Sequence, residues 1–168
     1  ESMSVQAVAD VIEQLENHRI TITGGEPLLQ EPAIIELIDE LTRRNARYDF
    51  NIETNGTIIP SFHRDNVWFT YDYKTPSSLA EEAMNLDIFK VATPADIIKF
   101  VVGSMQDLDR MDEILKTYPT DAQIFVSPVW GNIEGATIIE YMKAHNWQNV
   151  RFQLQIHKFI WDPDAKGV

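Results

Sequence analysis

Apolar positions along this chain switch repeatedly between helical and extended spacing. Val5, Val8, Ile12 and Leu15 share one helical stripe, and Ser4 precedes them as a candidate N-cap. An apolar run over 19–23 then reads as a strand. Glu31-Pro32 opens a second helix with proline in its first turn, and Ile34, Ile35, Leu37, Ile38 and Leu41 give it a broad apolar face. Strands follow over 49–53 and 67–74, the first closed by the turn-forming Thr54-Asn55-Gly56-Thr57. The stretch 75–96, rich in Ser, Pro and acidic residues, reads as a long excursion with room for one short helix. Beyond it the pattern predicts a strand over 97–102 and a helix over 106–117 with Leu108, Met111, Ile114 and Leu115 inward. A strand over 123–127, a helix over 134–145 and a last strand over 150–156 complete the chain.

Repeated strand–helix units imply parallel strands joined by crossovers, in a barrel or a doubly wound sheet. Side-chain alternation separates the two. Thr21 with Thr23, Asn51 with Glu53, Thr70 with Asp72 and Lys74, and Gln153 with Gln155 and His157 each line one face of a predicted strand. A doubly wound sheet is covered on both faces and calls for nearly continuous apolar strands, whereas a barrel can turn a polar face into its own lumen. The expectation is therefore a single-domain α/β partial barrel over 1–168 with a polar interior. The competing reading makes these edge strands with a solvated face.

Composition narrows the classes. With 168 residues, 44% of them hydrophobic, one domain fits and a second does not. A net charge of −12 argues against a phosphate-gripping surface, so no direct nucleic-acid partner is expected. No apolar run reaches membrane-spanning length and no signal peptide is recognisable, which points to a cytoplasmic protein with no membrane partner. The sequence contains no cysteine, so it offers neither a disulfide nor a thiolate ligand. His18, His63 and His145 have no ligand spacing, and no metal-binding residue is assigned.

The chemistry concentrates at strand ends. Gly24-Gly25-Glu26-Pro27 directly follows the strand Ile20-Thr21-Ile22-Thr23, where barrel enzymes hold ligands. Paired glycines allow a sharp turn and close approach to the backbone; by itself the tetrapeptide also suits a tight structural loop. The chain as a whole resembles a family. Ile22-Thr23-Gly24-Gly25-Glu26-Pro27-Leu28-Leu29, Glu53-Thr54-Asn55-Gly56-Thr57, Asp72-Tyr73-Lys74-Thr75-Pro76, Val126-Ser127-Pro128 and Leu154-Gln155-Ile156-His157-Lys158-Phe159-Ile160-Trp161 look, in order and spacing, like 7-carboxy-7-deazaguanine synthase of the radical S-adenosylmethionine superfamily.

The resemblance implies a radical S-adenosylmethionine-type partial (β/α) barrel, with a [4Fe–4S] cluster, S-adenosylmethionine and Mg²⁺ around 6-carboxy-5,6,7,8-tetrahydropterin. It implies a radical ring contraction to 7-carboxy-7-deazaguanine, a precursor of queuosine and archaeosine. It further implies a homodimer, and an electron donor such as flavodoxin or ferredoxin. On this resemblance Gly24, Gly25 and Glu26 meet the aminocarboxylate end of the cofactor, and Asp72, Lys74 and Ser127 contact it elsewhere. Thr23, Glu53, Asn55, Gln155 and His157 are assigned to the pterin: Glu53 to an amine, with a cofactor hydroxyl as its alternative, Gln155 to the mixed donor–acceptor edge, His157 to the carboxylate. No residue is assigned as catalytic.

The family's CxxxCxxC loop, the strand before it and the neighbouring magnesium-holding residue are missing from these residues, and the loop is expected upstream of Ser4. Three alternatives stay open. One is an aldolase-like barrel with Lys99 or Lys74 as a Schiff-base lysine. The others are a cluster-free relative that binds S-adenosylmethionine without catalysis, and a partner subunit whose polar strand ends another chain covers.

Overall fold

The computed structural model describes residues 3–165. Six strands form one sheet in chain order, every neighbouring pair parallel: β1 (Arg19–Ile22), β2 (Asp49–Thr54), β3 (Val67–Tyr73), β4 (Ile97–Val102), β5 (Gln123–Pro128) and β6 (Val150–Phe152). Sequential parallel order without a switch of direction is the order of a barrel wall, and it excludes the doubly wound alternative.

The helices lie against one face of that wall. α1 (Val5–Gln14) is capped by the Ser4 hydroxyl, which accepts the Ala7 N–H at 3.2 Å. α2 (Glu31–Arg44) carries proline in its first turn and buries Ile34, Ile38 and Leu41. α4 (Met105–Thr117) is capped by Ser104 and buries Leu108, Met111 and Ile114, and α5 (Gly135–Ala144) buries Ile138 and Tyr141. They cover an apolar ladder of Phe50, Ile52, Phe69, Tyr71, Tyr73, Ile98, Phe100 and Val126, all buried. Tyr73 stacks on Phe100 with ring centroids 4.7 Å apart. Burial pushes the Tyr71 phenol above its ordinary pKa, and the Asp96 charge adds to the shift. Asp96, itself buried, accepts the Phe69 N–H and, on its other oxygen, the Thr93 N–H and hydroxyl.

Most predicted elements lie within two residues of their expected ends. Three differ. Leu15 caps α1 and is exposed instead of completing the apolar stripe. The 75–96 excursion holds two 3₁₀ turns, Pro76–Ser78 and Glu81–Ala83, as well as the short α3 (Ile88–Val91).

The last strand ends at Phe152, and His157 opens the short α6 (His157–Ile160). Gln153, Gln155 and His157 therefore do not share a strand face. The cause lies in β5. The Gln153 N–H still reaches the Val126 carbonyl at 2.9 Å, but in this register the next donor on β5 falls at Pro128, which has no N–H.

Candidate active site

On the sheet face away from the helices the strands present polar side chains, and register sets them side by side. Thr21 pairs with Asn51, Glu53 with Thr70, Asp72 with Lys99 and Val101 with Ser127. Toward the C-terminal ends of β1 to β4 this face forms a cleft of about 330 Å³. Its rim comes from Thr23 and Gly25 after β1, from Glu53 and Thr54 of β2, and from Asn55 just beyond it. Thr70 and Asp72 of β3, Lys74 just after it, Lys99 and Val101 of β4, and Gln155 complete the wall. The polar lumen expected from alternation is present for β1, β2 and β3. For the final segment only Gln155 reaches the cleft.

Two local devices fix the rim. Gly24 and Gly25 adopt φ +101° and +56°, and a Cβ built on either meets nothing within 4 Å, so the backbone there is open to an approaching group. Glu26 does not point free into the cleft. Its carboxylate accepts the Leu28 N–H at 3.0 Å, the Thr54 hydroxyl at 2.9 Å and the Asn55 N–H at 2.8 Å. It caps the 3₁₀ turn Pro27–Gln30 and fastens the end of β1 to the end of β2. Asn55 in turn accepts the Thr57 N–H and hydroxyl at 3.0 and 2.7 Å, an Asx turn.

Asp72 of β3 forms an ion pair with Lys74, the residue after the strand's end. The second Asp72 oxygen, Oδ1, is buried and accepts no hydrogen bond among the described residues. Deeper in the wall the Thr70 hydroxyl donates to Asn51 at 2.9 Å. Beside the cleft, and sharing Asp72, Lys74 and Val101 with it, lies a second recess of about 280 Å³ lined by Thr75, Ser77, Ser78, Val129 and Asn132. Asp107 shapes this recess from beneath. Its carboxylate accepts the Ser77 N–H at 2.9 Å and the Gly103 N–H at 2.7 Å, clamping the loop after β3 onto the turn after β4. Burial alone would raise the Asp107 carboxyl, yet these donors hold it below its ordinary pKa. Ser127 is buried on the site face opposite Val101, its hydroxyl has no hydrogen-bond partner among the described residues, and it lines neither hollow.

The structure thus brings together Thr23, Gly25, Glu53, Asn55, Asp72, Lys74 and Gln155, with Gly24 in the adjoining turn. His157 is exposed on α6 and lines neither hollow. Glu26 serves as a clamp. On sequence alone Lys99 is a candidate only as a Schiff-base nucleophile and Thr54 only as a turn residue; the signal for Lys99 is a lysine inside the apolar strand Ile97-Ile98-Lys99-Phe100-Val101-Val102. Among the described residues no cluster of three or more His, Cys, Asp or Glu forms a metal site, and no helix is long and apolar enough to cross a membrane.

No family model matches the chain. Individual proteins do. The chain is 37% identical over 171 residues to a 7-carboxy-7-deazaguanine synthase of Clostridium acetobutylicum, a match covering 99% of this chain and 76% of that protein. It is 36% identical over 180 residues to the enzyme of that name from Leptospira interrogans, covering 100% and 75%. To the one from Methanospirillum hungatei it is 37% identical over 146 residues, covering 87% and 60%. Its fold is similar to the crystal structure of QueE from Escherichia coli, with a TM-score of 0.63 and 26% identity over 91% of this chain. The matched part is 64% of that solved chain, just under two thirds of its length.

Proposed function

The chain belongs to the 7-carboxy-7-deazaguanine synthase family, and from that premise we propose that its polar cleft binds S-adenosylmethionine beside 6-carboxy-5,6,7,8-tetrahydropterin for radical ring contraction to 7-carboxy-7-deazaguanine. One observation carries this reading. The segments that resemble the family at 22–29, 53–57 and 72–76 converge, with Gln155, on the rim of a single cleft.

The residues suit the cofactor. The open backbone at Gly24 and Gly25 offers carbonyls to an ammonium group, and Asp72 offers an oxygen that takes no hydrogen bond among the described residues. When bound, S-adenosylmethionine supplies the radical that abstracts hydrogen from the pterin. The protein's own part is positional. Glu26 holds the β1 and β2 rims at fixed spacing, Glu53 accepts an amine of the pterin, and Gln155 meets its donor–acceptor edge from the opposite wall. Asp107 keeps the loop after β3, and with it Lys74, in register with β4.

The residues do not suit an iron–sulfur cluster or its magnesium neighbour. There is no cysteine in the sequence, and the described residues contain no three-ligand group. The cluster would be held by cysteines upstream of Glu1. Sequencing the reading frame upstream and reconstituting the complete polypeptide anaerobically tests it: three cysteines in CxxxCxxC spacing and about four irons per chain are expected. A reading frame with no such cysteines would leave a binding protein without radical chemistry.

A further inference from the structure

Lys99 stands in an otherwise apolar strand, on the face that lines the cleft. Directly across the register from it is Asp72, the nearest acid on the neighbouring strand. One oxygen of that carboxylate is engaged by Lys74, and the other, buried, takes no hydrogen bond from Lys99 or from any other described residue. Among the described residues Lys99 forms no ion pair and no side-chain hydrogen bond, although it is only partly exposed. Holding an ammonium group in a half-buried wall without a counter-ion is unfavourable unless something else supplies the negative charge. Two lysines and one aspartate leave this end of the cleft with a surplus positive charge, in a chain whose net charge is −12.

The opposite end has the opposite sign. Glu53 lies on β2, two strands from Lys99, facing Thr70. Two strand spacings amount to about 10 Å. The cleft is thus polarised along the sheet, acid on β2 and cation on β4, as a flat ligand with an amine-bearing edge and a carboxylate at its far end requires.

Resting on the functional reading above, we propose that Lys99 is the carboxylate-binding group of this cleft, the role that sequence reading gave to His157. The carboxylate belongs either to the pterin or to the methionyl moiety of the cofactor. The chemistry is the same, a charge-assisted hydrogen bond from Nζ.

Binding measurements on the complete polypeptide decide the matter. Wild type, Lys99→Met and the charge-preserving Lys99→Arg are titrated with four probes: 6-carboxytetrahydropterin, tetrahydropterin without the carboxylate, S-adenosylmethionine, and decarboxylated S-adenosylmethionine. Lys99→Met is expected to bind one carboxylated probe about ten- to a hundredfold more weakly, to bind its decarboxylated counterpart as wild type does, and to be largely rescued in Lys99→Arg. Loss confined to the pterin pair assigns the carboxylate to the substrate; loss confined to the other pair assigns it to the cofactor. If affinities fall equally with and without the carboxylate, or do not fall, Lys99 is not the anion partner. A wild-type protein that binds none of the four would overturn the functional reading, and the Lys99 assignment with it.

Discussion

Both carboxylate oxygens of Glu26 lie 2.9 Å from the Thr54 hydroxyl, linking the turn after β1 to the last residue of β2. The glutamate of the Gly-Gly-Glu-Pro segment therefore acts first on the protein. With the Leu28 and Asn55 N–H groups also donating to it, a single side chain sets the gap between two strand ends that a ligand must bridge. On the proposed reading, recognition by the adjoining glycines depends on that gap.

Replacing Glu26 should therefore cost stability and affinity together. Glu26→Ala strands the donors of Leu28, Thr54 and Asn55 in a partly buried site, a loss of about 1–3 kcal/mol. For a chain of this size that is a fall in Tm of about 2–12 °C. Glu26→Gln keeps one acceptor oxygen and should fall between Ala and wild type. Thermal unfolding and S-adenosylmethionine titration of the three proteins check this; a Glu26→Ala protein of unchanged Tm but reduced affinity would make Glu26 a direct ligand instead.

Gly25 tests the backbone half of the same rim. At φ +56° a β-branched residue is strained by about 1–2 kcal/mol, even though its Cβ would meet no neighbour. Gly25→Val should fold yet lose cofactor binding, since its side chain would occupy the open space above the turn. Gly25→Asn, which tolerates this conformation better, should be the more stable of the two and still bind weakly. Equal cofactor affinity in wild type and folded Gly25→Val would remove this turn from the site.

Asp107 predicts an acid limb in the stability profile. Its folded pKa lies below the ordinary value of 3.8, so the unfolded chain takes up the proton first as pH falls. The stabilisation is fully present above pH 3.8 and is lost as pH drops from there through the lowered folded value. Asp107→Asn, which weakens the clamp on Ser77 and Gly103, should be less stable at neutral pH and flatter below pH 4. Urea unfolding at a series of pH values checks this, and parallel curves for the two proteins would assign the acid limb to other carboxylates.

Strand order and the polar lumen could be read from the sequence because they rest on local rules. Thr70, Asp72 and Lys74 alternate with Phe69, Tyr71 and Tyr73, and a period of two needs no tertiary information. The clamps were not legible. Glu26 meets Thr54 across 28 positions, and Asp107 meets Ser77 across 30. Both depend on which loops pack together, which no window of sequence contains. The end of β6 failed for a related reason. Gln153 to His157 keep strand-like alternation, but whether they pair is decided by Pro128 on the neighbouring strand.

The chain leaves the sheet after Phe152, so Gln155 turns back to the cleft while His157 begins α6 on the surface. Gln155→Ala should weaken pterin binding about three- to tenfold, the loss of one or two neutral hydrogen bonds. His157→Ala should leave it unchanged, because an exposed imidazole that lines neither hollow has no path to the ligand. Titrating both variants with 6-carboxytetrahydropterin separates the positions. A loss at His157 equal to that at Gln155 would mean that 157–160 closes over the cleft when the pterin is bound, and that α6 as found here is the open arrangement.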